Sequence, residues 1–399
     1  MPFIFQQSVL DIQSKLIYSV RSSLVRDLSL VCWRWFNYLS KLLSPSKDEF
    51  HKKKDRDSAI YCNYRLLHRK EFIKSLKIPL KLFDKNLVSN LNRYYTSLER
   101  LDIIVLDNDK DLSLLSLLNE LNTHSTTNPA QKIDIKLDIY PPKNGKVLCD
   151  EKWLKKVEFT FTLTWFQFIY NSRKTNDNFN WISTLILKLC PRNITIIPEN
   201  SGFKHLEFYH TISKHNQHYQ SIRIENDFIP LFSLYHFIQS PNLTSFKFSL
   251  DIKLINELYS QPPIENLDYY LELEKDNRIS EDQFQNRLPT VYAKSIWEKS
   301  IELLKCNSVI TELYMYQLSG VHYTEPCQQF IQDFIDIFSN NKCIKKALLE
   351  FKFINNTVLK QILDNNTTLE SLTIRPLLVN QIEELKSLTS NKCKIYSFP

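Results

Sequence analysis

The sequence predicts an α/β fold: a curved solenoid of strand and helix units behind an N-terminal helical module. Three observations predict it. A short apolar pattern recurs along most of the chain, amphipathic segments ending on asparagine alternate with it, and the first 45 residues read as helix with apolar side chains on two faces. With 399 residues and 43% apolar content, the chain can bury a substantial core.

The N-terminal element is clearest in "SLVRDLSLVCWRWFNYLSKLL", residues 23 to 43. On a 3.6-residue wheel Leu24, Leu28, Val31, Cys32, Trp35, Leu39 and Leu42 share one stripe, as expected of a helix packed on a core. Leu30 and Trp33 fall on the opposite side among Arg26, Arg34, Asn37 and Lys41. Two contact faces follow, the second covered either by another part of the chain or by a separate partner. Ser44-Pro45-Ser46 marks a boundary after these helices.

From Lys47 to Lys74, nine Lys or Arg stand against five Asp or Glu, more than half of the net charge of +7. The run "HKKKDRD" interleaves acids and has no aromatic platform, so it reads as a solvated basic linker rather than a nucleic-acid site. Residues 46 to 95 are accordingly expected to form a basic helical linker.

Beyond Tyr95 the pattern apolar-x-x-apolar-x-apolar recurs, in "LERLDI" from Leu98, "AQKIDI" from Ala130, "LKKVEF" from Leu154, "ISTLIL" from Ile182 and "FKHLEF" from Phe203. It continues in "YQSIRI" from Tyr219, "LTSFKF" from Leu243, "IENLDY" from Ile264, "ITELYM" from Ile310 and "LESLTI" from Leu369, with a weaker copy at "KALLEF" from Lys346. Three apolar positions coincide by chance at about 8% of sites in such a composition, so the spacing carries the reading. Successive first positions up to Ile310 lie 32, 24, 28, 21, 16, 24, 21 and 46 residues apart, mostly near the period of a leucine-rich repeat. "PCQQFIQDFIDIFSNN" and "NTVLKQILDNN" supply returning helices, and their terminal asparagines are expected to adopt the left-handed cap conformation in a chain with only three glycines. The polar stretch "KDNRISEDQFQNRLPTVYAK" reads as a loop inserted on one rim. Residues 96 to 399 thus form the expected solenoid.

The same composition argues against catalysis. None of Gly145, Gly202 and Gly320 belongs to a phosphate-binding loop or a nucleophile elbow. The eight cysteines include no C-x-x-C pair and read as buried thiols of a reducing compartment. "HLEFYHTISKHNQHY" brings His205, His210, His215 and His218 close in sequence, but His205 and His210 are placed on opposite faces of a strand, which disperses them as metal ligands. No enzyme activity, cofactor or metal is expected. The opening decapeptide lacks a basic n-region, and no apolar run reaches the roughly 18 residues of a membrane span. A soluble intracellular protein, cytoplasmic or nuclear, without membrane or nucleic-acid partners is expected.

A helical N-terminal element followed by irregular repeats resembles the F-box plus leucine-rich-repeat architecture. "DLSLVCWRWFNYL", Asp27 to Leu39, is similar to the second half of an F-box at Leu28, Val31, Arg34 and Trp35. "VLDIQSKLIYSV" is similar to its first helix, with Ile12, Leu16, Ile17 and Val20 in the apolar positions. Where the motif opens on Leu-Pro, this chain has Ser8, Val9 and Leu10. The resemblance implies that residues 1 to 45 bind a Skp-type adaptor and through it a cullin-RING ubiquitin ligase. Leu30 and Trp33 would face the adaptor, and the repeats would receive an unknown protein substrate. The alternative is a leucine-rich-repeat scaffold that binds no adaptor.

On the repeat strands the outward charges alternate in sign, so neighbouring columns are expected to neutralise one another. Tyr209, Tyr270, Tyr314 and Tyr316 occupy outward positions where burial gives no reason for a ring. They are read as partner-binding anchors, or else as covers for neighbouring strands.

Overall fold

A computed structural model describes residues 47–49, 73–80, 95, 97–105, 118–119, 121–122, 134–140, 156, 163–170, 180–198, 206–260, 290–317, 325–375 and 393–397. The chain divides into two compact units, Met1–Ile104 with Ser116–Asp134, and Val105–Leu115 with Ile135–Pro399.

In the first unit β1 (Lys47–Glu49) pairs in parallel with β2 (Ser75–Pro79), and β2 with β3 (Arg100–Val105). Ile73, Leu76 and Ile78 repeat the apolar triple of Leu98, Leu101 and Ile103, and all six are at most 4% exposed. The carbonyl of Lys74 accepts both Glu99 N and Arg100 N, at 2.8 and 2.9 Å, locking the register. β1 and β2 lie inside the span expected to be a helical linker. For these residues that expectation is corrected: β1 and β2 are strands, with the triple at Ile73 buried despite the charge around it.

In the second unit β4 (Asp134–Ile139), β5 (Leu163–Tyr170), β6 (Asn193–Pro198), β7 (Ser221–Phe228), β8 (Ser245–Ser249), β9 (Glu312–Tyr316), β10 (Lys346–Glu350), β11 (Ser371–Arg375) and β12 (Lys394–Ser397) pair in chain order, each parallel to the next. Alternate residues point into the helix layer: Phe166 and Phe168, Ile194 and Ile196, Ile222 and Ile224, Phe246 and Phe248, Leu313 and Met315, Leu372 and Ile374 are each at most 1% exposed. Burying one such side chain contributes about 1.5–3 kcal/mol, and the parallel ladder places them in continuous rows.

The triples at Leu98, Tyr219, Leu243, Ile310 and Leu369 fall on strands in the expected register. Others do not. "ISTLIL" lies in α1 (Asn180–Leu189) and "FKHLEF" runs into α2 (Leu206–Lys214), while Lys156 of "LKKVEF" is helical. Its i and i+3 positions share one side of a helix, as the buried Ile182 and Leu185 do, while Leu187 at i+5 is only half-buried; an apolar residue there is enough for a helix to match the pattern too. The triples that do fall on β5 and β6 begin at Leu163 and Pro191, and that of β10 begins at Ile344 rather than Lys346. β8 pairs directly with β9, so no strand from "IENLDY" stands between them; those six residues lie outside the described ones. The end of the expected rim loop, from Thr290, is helix α5 (Thr290–Cys306).

The helix layer also holds α3 (Leu231–Ile238), α4 (Ile252–Tyr259), α6 (Gln328–Asn340) and α7 (Asn356–Asn365). Their ends overturn the left-handed cap expectation. Asn341 and Asn366, which follow α6 and α7, are extended, with φ of −68° and −90°. They act through their side chains. Asn341 Oδ1 accepts Cys343 N and Ile344 N at 2.7 and 2.8 Å, and its Nδ2 donates to Leu304 O at 2.6 Å and Asn307 O at 3.0 Å. Asn366 accepts from Thr368 N and Leu369 N and donates to Phe338 O; Asn307 accepts from Val309 N and Ile310 N and donates to Ile238 O. Each asparagine shapes the turn into its own strand and ties off a carbonyl near the end of the preceding unit's helix. Asn341→Ala is therefore expected to cost at least about 2 kcal/mol, since it strands buried donors and acceptors. The same change at exposed Asn340 should cost under about 0.5 kcal/mol, urea unfolding being the measurement for both.

A polar chain pins three helices: Trp297 Nε1 in α5 donates to Tyr259 Oη of α4 at 2.7 Å, and Tyr259 donates to Asp333 Oδ2 of α6. Burial pushes the Asp333 carboxyl up to about 6, helped by nearby Asp336. The folded state thus holds a proton there that an unfolded carboxyl releases near about pH 4. This stabilising contribution is complete below that value and is lost as pH rises through about 6. Asp333→Asn should flatten the decline in stability between about pH 4 and 6, urea unfolding at each pH being the measurement.

Candidate functional site

The outward face of β5 to β10 carries the chemistry of the second unit. Alternation leaves Trp165 and Gln167 of β5, Asn193 and Thr195 of β6, Arg223 and Glu225 of β7, Lys247 of β8, Glu312 and Tyr314 of β9, and Lys346 and Leu348 of β10 on this side.

Its charges are largely paired across strands. Lys247 Nζ lies 2.7 Å from Glu225 Oε1, and Lys346 Nζ lies 2.8 Å from Glu312 Oε1. The Lys346 ammonium holds the Glu312 carboxyl below the usual range, and Tyr314 Oη donates to Glu312 Oε2 at 3.2 Å. Partial burial, with Glu312 beside it, pushes the Tyr314 phenol up.

Arg223 differs. Its guanidinium carbon sits 5.4 Å from the ring centre of Trp165, two strands away, so the side chain reaches across β6. Directly opposite Arg223 in the ladder stands Thr195, a short side chain that is 4% exposed, while Trp165 pairs with Asn193 two residues before it. Stacking a guanidinium on an indole face is favourable and leaves the edge of the fork free.

Of the four tyrosines expected as anchors, Tyr314 alone stands half-buried on this face. Tyr270 lies outside the described residues. Tyr209 is a correction: it belongs to helix α2, is 1% exposed, and donates from Oη to Asp227 Oδ2 at 2.8 Å. Tyr316 is a second correction. Its strand position is outward, but the ring folds down, is 8% exposed, donates to Ile224 O at 2.6 Å and accepts from Asn226 N at 3.2 Å. Both tyrosines grip one feature, the bend in β7 where Asn226 takes φ of 60°. A non-glycine residue in that region is held there by its surroundings. Two rings read as partner anchors are thus structural clamps.

Leu28, Leu30, Val31, Trp33, Arg34 and Trp35, expected to bind an adaptor, lie outside the described residues, as does His205. His210 is in helix α2 rather than on a strand, with its ring 5.0 Å from that of Phe232. Among the described residues no group of three or more His, Cys, Asp or Glu side chains could hold a metal ion. No helix among them is long and apolar enough to cross a membrane. In comparisons with known proteins, the chain matches no family model and no curated protein sequence.

The sequence pattern does not show the Trp165 and Arg223 pair, because "LKKVEF" matches the strand triple just ahead of β5. Only once Leu163–Tyr170 is recognised as β5 do Trp165 and Arg223 share a face. Tyr316→Phe and Tyr209→Phe are each expected to cost about 1–3 kcal/mol, by leaving buried partners at the bend unpaired. Both should speed amide exchange at Asn226, Asp227 and Phe228 relative to the remainder of β7, as hydrogen exchange would reveal.

Proposed function

We propose that the chain is a non-catalytic protein-recognition module, the substrate receptor of an SCF-type ubiquitin ligase. In this reading the strand and helix units curve as in leucine-rich repeats, and the outward strand face receives a protein segment. One observation carries it. A long parallel ladder buries one set of alternate residues against helices and leaves the other set, with Trp165, Arg223, Lys247 and Tyr314, half-buried on a sheet face. Such a face provides rings, cations and hydrogen-bonding groups in parallel rows about 4.8 Å apart, the spacing of neighbouring strands.

The similarity of Asp27–Leu39 to an F-box supports the attachment to a Skp-type adaptor, with Leu30 and Trp33 as contact residues and Leu28, Val31, Arg34 and Trp35 completing the helix. Changing Leu30 and Trp33 together to Ser should abolish co-purification with the adaptor and leave the thermal unfolding midpoint nearly unchanged. Aggregation of that variant would mean that the two side chains pack inside the chain. Failure of the wild-type chain to capture the adaptor would leave a repeat scaffold without ligase attachment.

A further inference from the structure

We propose that Trp165, Thr195 and Arg223 form a receptor for one carboxylate side chain of a bound protein segment. The inference rests on the recognition role above and names the chemistry of its ligand.

Three hydrogen-bonding atoms on three successive strands are buried and find no hydrogen-bond partner among the described residues: Trp165 Nε1, Thr195 Oγ1 and Arg223 Nε. The indole and guanidinium nitrogens can only donate, and the hydroxyl can donate. Buried polar atoms are normally paired, so three orphans within one patch mark a place where an acceptor belongs. They are joined as a cluster by the register, which sets Thr195 opposite Arg223, and by the stack of Arg223 on Trp165.

Charge selects the acceptor. Lys136 has Asp138 at 3.2 Å, Lys247 has Glu225 and Lys346 has Glu312. Among the cations of β4 to β10, Arg223 is the one with no carboxylate in ion-pair range among the described residues. One uncommitted positive charge, flanked on the same face by Glu225 and Glu312, matches a singly charged anion better than a dianion. The free edge of a stacked guanidinium offers two parallel N–H groups, which suits the planar fork of a carboxylate. A Glu or Asp side chain of an extended segment meets both conditions, and its neighbours along the segment can lie on Tyr314 and the paired lysines.

The test uses the full chain and three fluorescein-labelled peptides: one of alternating Glu and Ser, its Gln counterpart, and a version with phosphoserine replacing Glu. The Glu peptide should bind by anisotropy, with affinity at least tenfold weaker for the Gln counterpart and at least tenfold weaker for Arg223→Gln protein. Arg223→Lys should not restore binding, since an ammonium lacks the fork. Thr195→Val keeps volume and removes an orphaned hydroxyl. It should unfold at the same or a higher temperature than the parent while binding the Glu peptide more weakly, a combination that a merely structural threonine would not give. In 15N-labelled protein, the Arg223 Nε–H resonance, assigned by its loss in Arg223→Lys, should shift on adding the Glu peptide. Equal binding of the Glu and Gln peptides, or of parent and Arg223→Gln protein, would overturn the proposal, as would Arg223-dependent binding of the phosphoserine peptide tenfold tighter than the Glu peptide. Adaptor capture is measured separately, so this site and the ligase attachment can fail independently.

Discussion

A repeat built from short strands and helices depends on how one unit is fastened to the next, and here the fastening is a buried asparagine side chain. The amide of Asn341 makes four hydrogen bonds, two into the turn that starts its own strand and two to carbonyls of the unit before. Asn307 and Asn366 do the same work at the neighbouring joints, and Ser240 Oγ, donating to Asn216 O at 2.7 Å, is a shorter version. A side chain with both donor and acceptor can serve two backbones at once, which neither glycine nor an acidic residue can do. It also fixes the phase of the strand. The first buried residue stands three positions after each asparagine, as Ile310, Ile344 and Leu369 do, and alternation then decides which side chains face the helices.

A second set of bonds runs at the same level of the sheet. The carbonyls of Gln220, Thr244, Thr311 and Lys345 each accept two successive N–H groups from the next strand's start. Side-chain and main-chain fastenings therefore coincide at one edge of each unit. Stability in this arrangement is shared between neighbours, because a joint that opens releases groups on both sides of it.

Much of this was legible in the sequence, and the failures have physical causes. Leu243, Phe246 and Phe248 could be placed correctly because the triple and its spacing agree, whereas Ile182, Leu185 and Leu187 satisfy the same triple on a helix. The asparagines were noticed, but their role was assigned to backbone conformation. Hydrogen bonds reaching back some 30 residues cannot be read from a local pattern. Tyr209 and Tyr316 illustrate the limit on the candidate site: strand alternation says which way a position points, and says nothing of a ring folding onto a bend two strands away. The pairing of Arg223 with Trp165 required the register of three strands together. Residues 23 to 43, with Leu30 and Trp33, lie outside the described residues, so their two-faced pattern stands on sequence alone.

The junction between β8 and β9 has a consequence of its own. Ser245 pairs with Glu312 as regularly as Lys346 pairs with Ser371, although far more chain separates the first two. The additional length is taken up off the ladder, with α4 and α5 both packed against α6 and with α5 also against α3. Strand order and the outward face are therefore insensitive to what is spliced in at that point, since closing a longer loop costs only logarithmically more. A unit of this kind can acquire new surface on its flank, by insertion after Tyr259, without disturbing a residue of the sheet.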